Sequence, residues 1–133
     1  MAEKIDPKEN TLVLIKPDGV RRRMVGQIIG AIESRGLSIL YLQQKILSVD
    51  EATALYREHI GKWHFARNIK HITSGPVVVI HVQGEDALTR CRAMVKEMRE
   101  AYKDVIKLPK NIVHSTSSPE KAQEELESVG CHL

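Results

Sequence analysis

One histidine in this chain stands where a fold can offer an imidazole for chemistry. In the stretch Asn111-Ile112-Val113-His114-Ser115-Thr116-Ser117-Ser118-Pro119-Glu120, His114 ends a short apolar run and precedes a helix start. Ile112 and Val113 suit a buried strand. Ser118 and Pro119 suit an N-cap and the first helical position. A side chain on such a hinge is held by the strand and still faces open space. Neutral imidazole is a nucleophile and a proton carrier near pH 7. A lone histidine is more often structural, so the segment gains meaning only from what surrounds it.

The elements that must position it follow from apolar periodicity. Thr11-Leu12-Val13-Leu14-Ile15 is a near-continuous apolar run, the pattern of a central strand. Lys16-Pro17-Asp18-Gly19 stops it with turn chemistry. Val25, Ile28, Ile29 and Ile32 recur at helical spacing, and the helix is expected to end near Gly36. Leu37 to Leu47 is extended in character. Ser48 and Glu51 have capping-box spacing and open a helix through about His59. A further helix is expected from Lys62 to Ile72, closed by Ser74-Gly75-Pro76. Val77 to Val82 is the third strand. Glu85 to about Tyr102 is a long helix with Leu88, Cys91, Val95 and Met98 on one face. Ile112-Val113 is the fourth strand, and Pro119 to Ser128 the last helix. The order β-α-β, extra helices, β-α-β, helix predicts a ferredoxin-like split βαβ, an α+β fold with a four-stranded antiparallel sheet covered by helices. That fold hosts many functions and names none.

Composition narrows the classes. The 133 residues suit one domain, 1–133, with 1–9 as a flexible start, and 42% hydrophobic residues are enough for a core. No apolar run reaches the ~18 residues of a membrane span. The polar opening residues do not resemble a secretory signal. Two cysteines, Cys91 and Cys131, make no disulfide framework and lack metal-ligand spacing, which points to a cytoplasmic setting. A net charge of +3 favours anions but is too small to argue for nucleic acid, and 4% aromatics offer no base-stacking platform.

Three segments in this order resemble the nucleoside diphosphate kinase family. They are Thr11 to Val20 followed by Val25-Gly26, then Thr73-Ser74-Gly75-Pro76-Val77-Val78, then Asn111 to Ser118. The resemblance covers roughly residues 10 to 128. It implies a two-step phosphotransfer. A nucleoside triphosphate such as ATP gives its terminal phosphoryl group to the histidine, and the phosphohistidine passes it to a nucleoside diphosphate. On that resemblance His114 is the nucleophile. Lys16 reaches the transferred phosphate, Arg92 contacts phosphate, and Asn111 bonds the sugar hydroxyls. Glu125, eleven positions after His114, orients the imidazole, and Tyr56 stands near it. Thr116 supplies a hydroxyl near the transferred group. Mg²⁺ is implied, held chiefly by the nucleotide phosphates, so no metal cage in the protein is expected.

The chain departs from the family pattern in two places. His64 takes the position where a phenylalanine usually stacks on the base, with Leu108 matching the apolar residue on the base's other face. Phe65, beside His64, should point elsewhere. The segment between Arg92 and Asn111 is shorter than usual and lacks a loop threonine and arginine that touch phosphates. Met98 lies in the region of the missing threonine, and Arg99 is the candidate to replace the arginine. This shortening and the short tail would remove contacts used in larger assemblies, while a homodimer through the first long helix and the second strand is still expected. The alternative to an active enzyme is a weak or inactive member that binds nucleotides or proteins.

Overall fold

Leu12 to Ile15 are all fully buried, and this run organises the molecule. The computed structural model describes residues 9–108 and 110–131. The run forms β1 (Glu9–Ile15). Then follow α1 (Pro17–Arg21), α2 (Val25–Ser34), β2 (Ser38–Lys45), α3 (Val49–Leu55) and a 3-10 turn (Arg57–His59). The chain continues through α4 (Phe65–Ile72), β3 (Val77–Gly84), α5 (Ala87–Ala101), β4 (Val113–Ser115) and α6 (Pro119–Ser128). The sheet order is β2-β3-β1-β4, and every neighbouring pair is antiparallel. This is the ferredoxin-like arrangement expected from the element order.

Strand alternation divides the core into two layers. Val13, Ile15, Val78, Ile80 and Val82 pack against Ile28 and Ile32 of α2 and Cys91, Met94 and Val95 of α5. Leu12, Leu14, Val77 and Val79 pack on the other face against α3, α4 and Leu126 of α6. His114 lies opposite Leu14 in the β1–β4 register. Directly opposed residues share a face, so His114 projects toward the layer of α3 and α6.

The capping box at the start of α3 is present in full. Glu51 N–H donates to Ser48 Oγ at 3.0 Å, and Ser48 N–H donates to Glu51 Oε1 at 2.9 Å. Ser118 precedes α6 in an extended conformation without a side-chain capping bond, and Pro119 at the first helical position sets the start.

Three expectations need correction. Residues 1–8 lie outside the described residues, but Glu9, expected in a flexible start, begins β1 and accepts a hydrogen bond from Leu88 N–H at 3.0 Å. Lys16-Pro17-Asp18-Gly19 is not a simple turn. Lys16 is extended, as a residue before proline prefers, and Pro17 opens the short helix α1. Ile112 is not in the fourth strand, which starts at Val113. Its φ is +74°, because its N–H is drawn to Asp18 Oδ2 at 2.8 Å and its carbonyl to Lys16 N–H at 2.8 Å. Gly19 allows this approach. A Cβ there would stand 2.6 Å from the Ile112 carbonyl oxygen and 2.9 Å from Ile15.

Candidate active site

β4 delivers His114 into an open cleft of about 910 Å³ between the end of α3, α5 and the start of α6. Tyr56, His59, Arg92, Arg99 and Lys121 share its walls. The imidazole is fixed from behind. Its Nε2 lies 3.0 Å from Glu125 Oε1 on α6. A carboxylate only accepts, so Nε2 carries the hydrogen and Nδ1 keeps the lone pair in the neutral ring. The same Glu125 oxygen accepts from Thr116 Oγ1 at 3.0 Å, and Thr116 Oγ1 accepts from Leu12 N–H at 3.3 Å. The carboxylate is thereby tied to β1. Tyr56 sets its ring edge toward His114, with centroids 6.3 Å apart at 74°. Burial, with the Glu125 charge nearby, pushes the Tyr56 hydroxyl up to about 12, so it stays protonated.

Lys16 is 6% exposed, and its Nζ donates to Asn111 Oδ1 at 2.8 Å. Burial brings its pKa down to about 8, and the charges of Arg99 and Arg67 push the same way against Asp18. Asp18 is the organiser that sequence reasoning missed. Oδ1 lies 3.0 Å from His71 Nε2, and Oδ2 holds Ile112. Burial works against its charge, but the bonds from His71 and the Ile112 N–H outweigh this and keep the carboxyl below the usual range. A left-handed β-branched residue costs about 1–3 kcal/mol, and the strain here lies two residues before His114.

The expected site residues fall into four groups. His114, Glu125, Tyr56, Arg92 and Arg99 meet in the cleft. Lys16 and Asn111 form a pair tied to it through Arg99, which donates to the Asn111 carbonyl at 3.3 Å. Thr116 was expected beside the transferred group. It is fully buried and faces Glu125 instead. His64 and Leu108 stand apart. His64 belongs to an aromatic cluster, 5.5 Å from His59 and 5.3 Å from Trp63 between ring centroids. His59 in turn lines the cleft. Phe65 packs into the second core layer, as its position on the helix requires. Leu108 is 67% exposed. Lys121, paired with Glu58 at 2.8 Å, is a further cation of the cleft that the sequence did not single out.

Comparison with known proteins points one way. The family model described as nucleoside diphosphate kinase matches residues 9–129. The chain belongs to the nucleoside diphosphate kinase family. It is 43% identical over 128 residues to a nucleoside diphosphate kinase of Sulfolobus acidocaldarius, covering 89% of this chain and 87% of that one. It is 37% identical over 126 residues to one from Metallosphaera sedula, covering 89% and 90%. Its fold matches the crystal structure of the Aquifex aeolicus nucleoside diphosphate kinase with a TM-score of 0.80 at 28% identity, covering 92% of this chain and 95% of that chain. Among the described residues, no helix is long and apolar enough to cross a membrane, and Cys91 and Cys131 are free and buried.

Proposed function

We propose that this family member moves the terminal phosphoryl group of ATP to a nucleoside diphosphate through His114. The pairing of His114 Nε2 with Glu125 carries the reading, because it occupies one ring nitrogen and leaves the basic Nδ1 as the nucleophile of a side chain that lines the cleft. In the first half-reaction the Nδ1 lone pair forms a bond to the γ-phosphorus, and the bond to the β–γ bridging oxygen breaks. The diphosphate departs. In the second, a terminal oxygen of an acceptor diphosphate attacks the same phosphorus, and the electrons of the P–N bond return to Nδ1. Glu125 stabilises the imidazole charge in each state.

The cations around the cleft, Arg92, Lys121 and the nearby Lys16, suit the phosphates. Asn111 spends Oδ1 on Lys16, so its amide nitrogen is the donor offered to the sugar hydroxyls. The family resemblance assigns His64 and exposed Leu108 to the two faces of the base. The donor set fits Mg²⁺ held by the nucleotide phosphates, since Glu125 Oε1 is engaged by His114 and Thr116. Bound there, the ion supplies further neutralisation of phosphate charge. The buried free thiols suit a cytoplasmic setting, and a homodimer is the assembly we infer.

The test is direct. Protein incubated with γ-labelled ATP and Mg²⁺ should take up acid-labile, alkali-stable label. Unlabelled GDP should remove it, and His114→Ala should abolish it. Well-folded protein that takes up no label would overturn the reading in favour of a binding module.

A further inference from the structure

Two arginines on α5 grip the backbone on either side of His114. They stand seven positions apart, two helical turns along one face. Arg92 Nη1 donates to the Ser117 carbonyl at 3.1 Å. Arg99 donates twice, from Nε to the Asn111 carbonyl at 3.3 Å and from Nη2 to the Val113 carbonyl at 2.6 Å. Those two carbonyls bracket Ile112, the residue held at φ +74°. Asp18 and the Lys16 N–H fix the amide and carbonyl of Ile112 itself, so Arg99 completes a bracket on three consecutive residues. Ile112 left to itself prefers extended backbone, and any relaxation there would swing His114 with it. The side chain is half-buried, with burial pulling its pKa down against the favourable pull of Asp18.

We propose that Arg99 is a positioning residue rather than a phosphate ligand. Its guanidinium fork locks Asn111 to Val113 and so sets the approach of His114 Nδ1 to phosphorus. Charge alone would not do this. A lysine ammonium is a point donor on a flexible stem and cannot span two carbonyls in fixed geometry. The effect on rate rests on the phosphotransfer reading, whereas the effect on the backbone does not.

Arg99→Lys and Arg99→Ala are the test, with the Lys variant keeping charge and most of the bulk. The rate of His114 phosphorylation from γ-labelled ATP should fall tenfold or more in both. ADP affinity should fall by much less than the rate, because only the sugar contact of Asn111 is loosened with the backbone. Amide hydrogen exchange at Ile112 should speed up at least tenfold, with β1 and β3 unchanged. A Lys variant that labels at the wild-type rate would overturn the proposal. So would unchanged exchange at Ile112 together with ADP affinity that drops in step with the rate, which would make Arg99 a phosphate ligand. Wild-type protein that takes no label sinks the kinase reading, and the exchange experiment still decides for or against Arg99.

Discussion

His114 has two ring nitrogens, and Glu125 takes one of them. The carboxylate matters as a charge as much as an acceptor, since imidazole becomes more positive as it bonds to phosphorus. Glu125→Gln keeps the shape and removes that charge. A charge-assisted bond of ~1.5–3 kcal/mol corresponds to a loss of about one to two decades in kcat. Steady-state kinetics will show it, and kcat within twofold of wild type would reduce Glu125 to packing. Lys16 gives a second residue-level expectation. Its pKa of about 8 lies below the usual lysine value, so the cation is present below that pH and lost as pH rises through it. Substrate capture, read as kcat/KM, should fall above about pH 8, since that quantity reports groups of the free enzyme. Lys16→Arg should hold its charge and flatten that limb. These residues were legible through the family resemblance that their short segments carry, not from their types alone. Asp18 and His71 were not. Their contacts span 94 and 53 positions, and neither residue differs locally from an ordinary turn aspartate or helix-end histidine.

Among elements, the decisive join is α1 to the residue before β4. Asp18→Asn tests it. The substitution weakens one or both bonds to His71 and Ile112 at nearly constant volume, and should cost about 1–3 kcal/mol in denaturant titrations near neutral pH. Asp18 has a depressed pKa, so its contribution is present above the ordinary carboxylate range and fades as pH falls through the lower folded value. The stability gap between wild type and variant should therefore close in acid. The same variant removes the anion that raises the Lys16 pKa, so the alkaline limb should move to lower pH. An unmoved limb would uncouple Asp18 from Lys16. This join also shows where sequence reasoning stopped. Strands and long helices follow from apolar period, and α6 starts and ends where its period and Pro119 predict. Ile112 looks like strand by composition. Its left-handed backbone is imposed by Asp18, Lys16 and Gly19, far away in sequence, and no local propensity encodes it.

At the scale of the whole molecule, the two edges of the sheet differ. One edge is β4, given over to His114. The other is β2, eight residues long, with Leu40 52%, Leu42 43% and Tyr41 38% exposed. A long edge strand with exposed apolar side chains invites pairing with a second chain unless something blunts it. Beside it, Gly26 and Gly30 of α2 have open space where a Cβ would stand, so another backbone could come close. A two-fold contact using β2 and α2 would continue the sheet across both subunits and present the same patch from each. A stable dimer of this kind needs about 800 Å² per subunit. Sedimentation velocity at micromolar protein should find a dimer, and Leu42→Lys should yield monomer by placing a charge in the middle of the patch. Because His114 lies at the opposite edge of the sheet, the monomeric variant should still take label from γ-labelled ATP. Wild-type protein that sediments as a monomer would rule out this surface. A monomeric variant that folds but no longer labels would mean that the second subunit helps to shape the cleft.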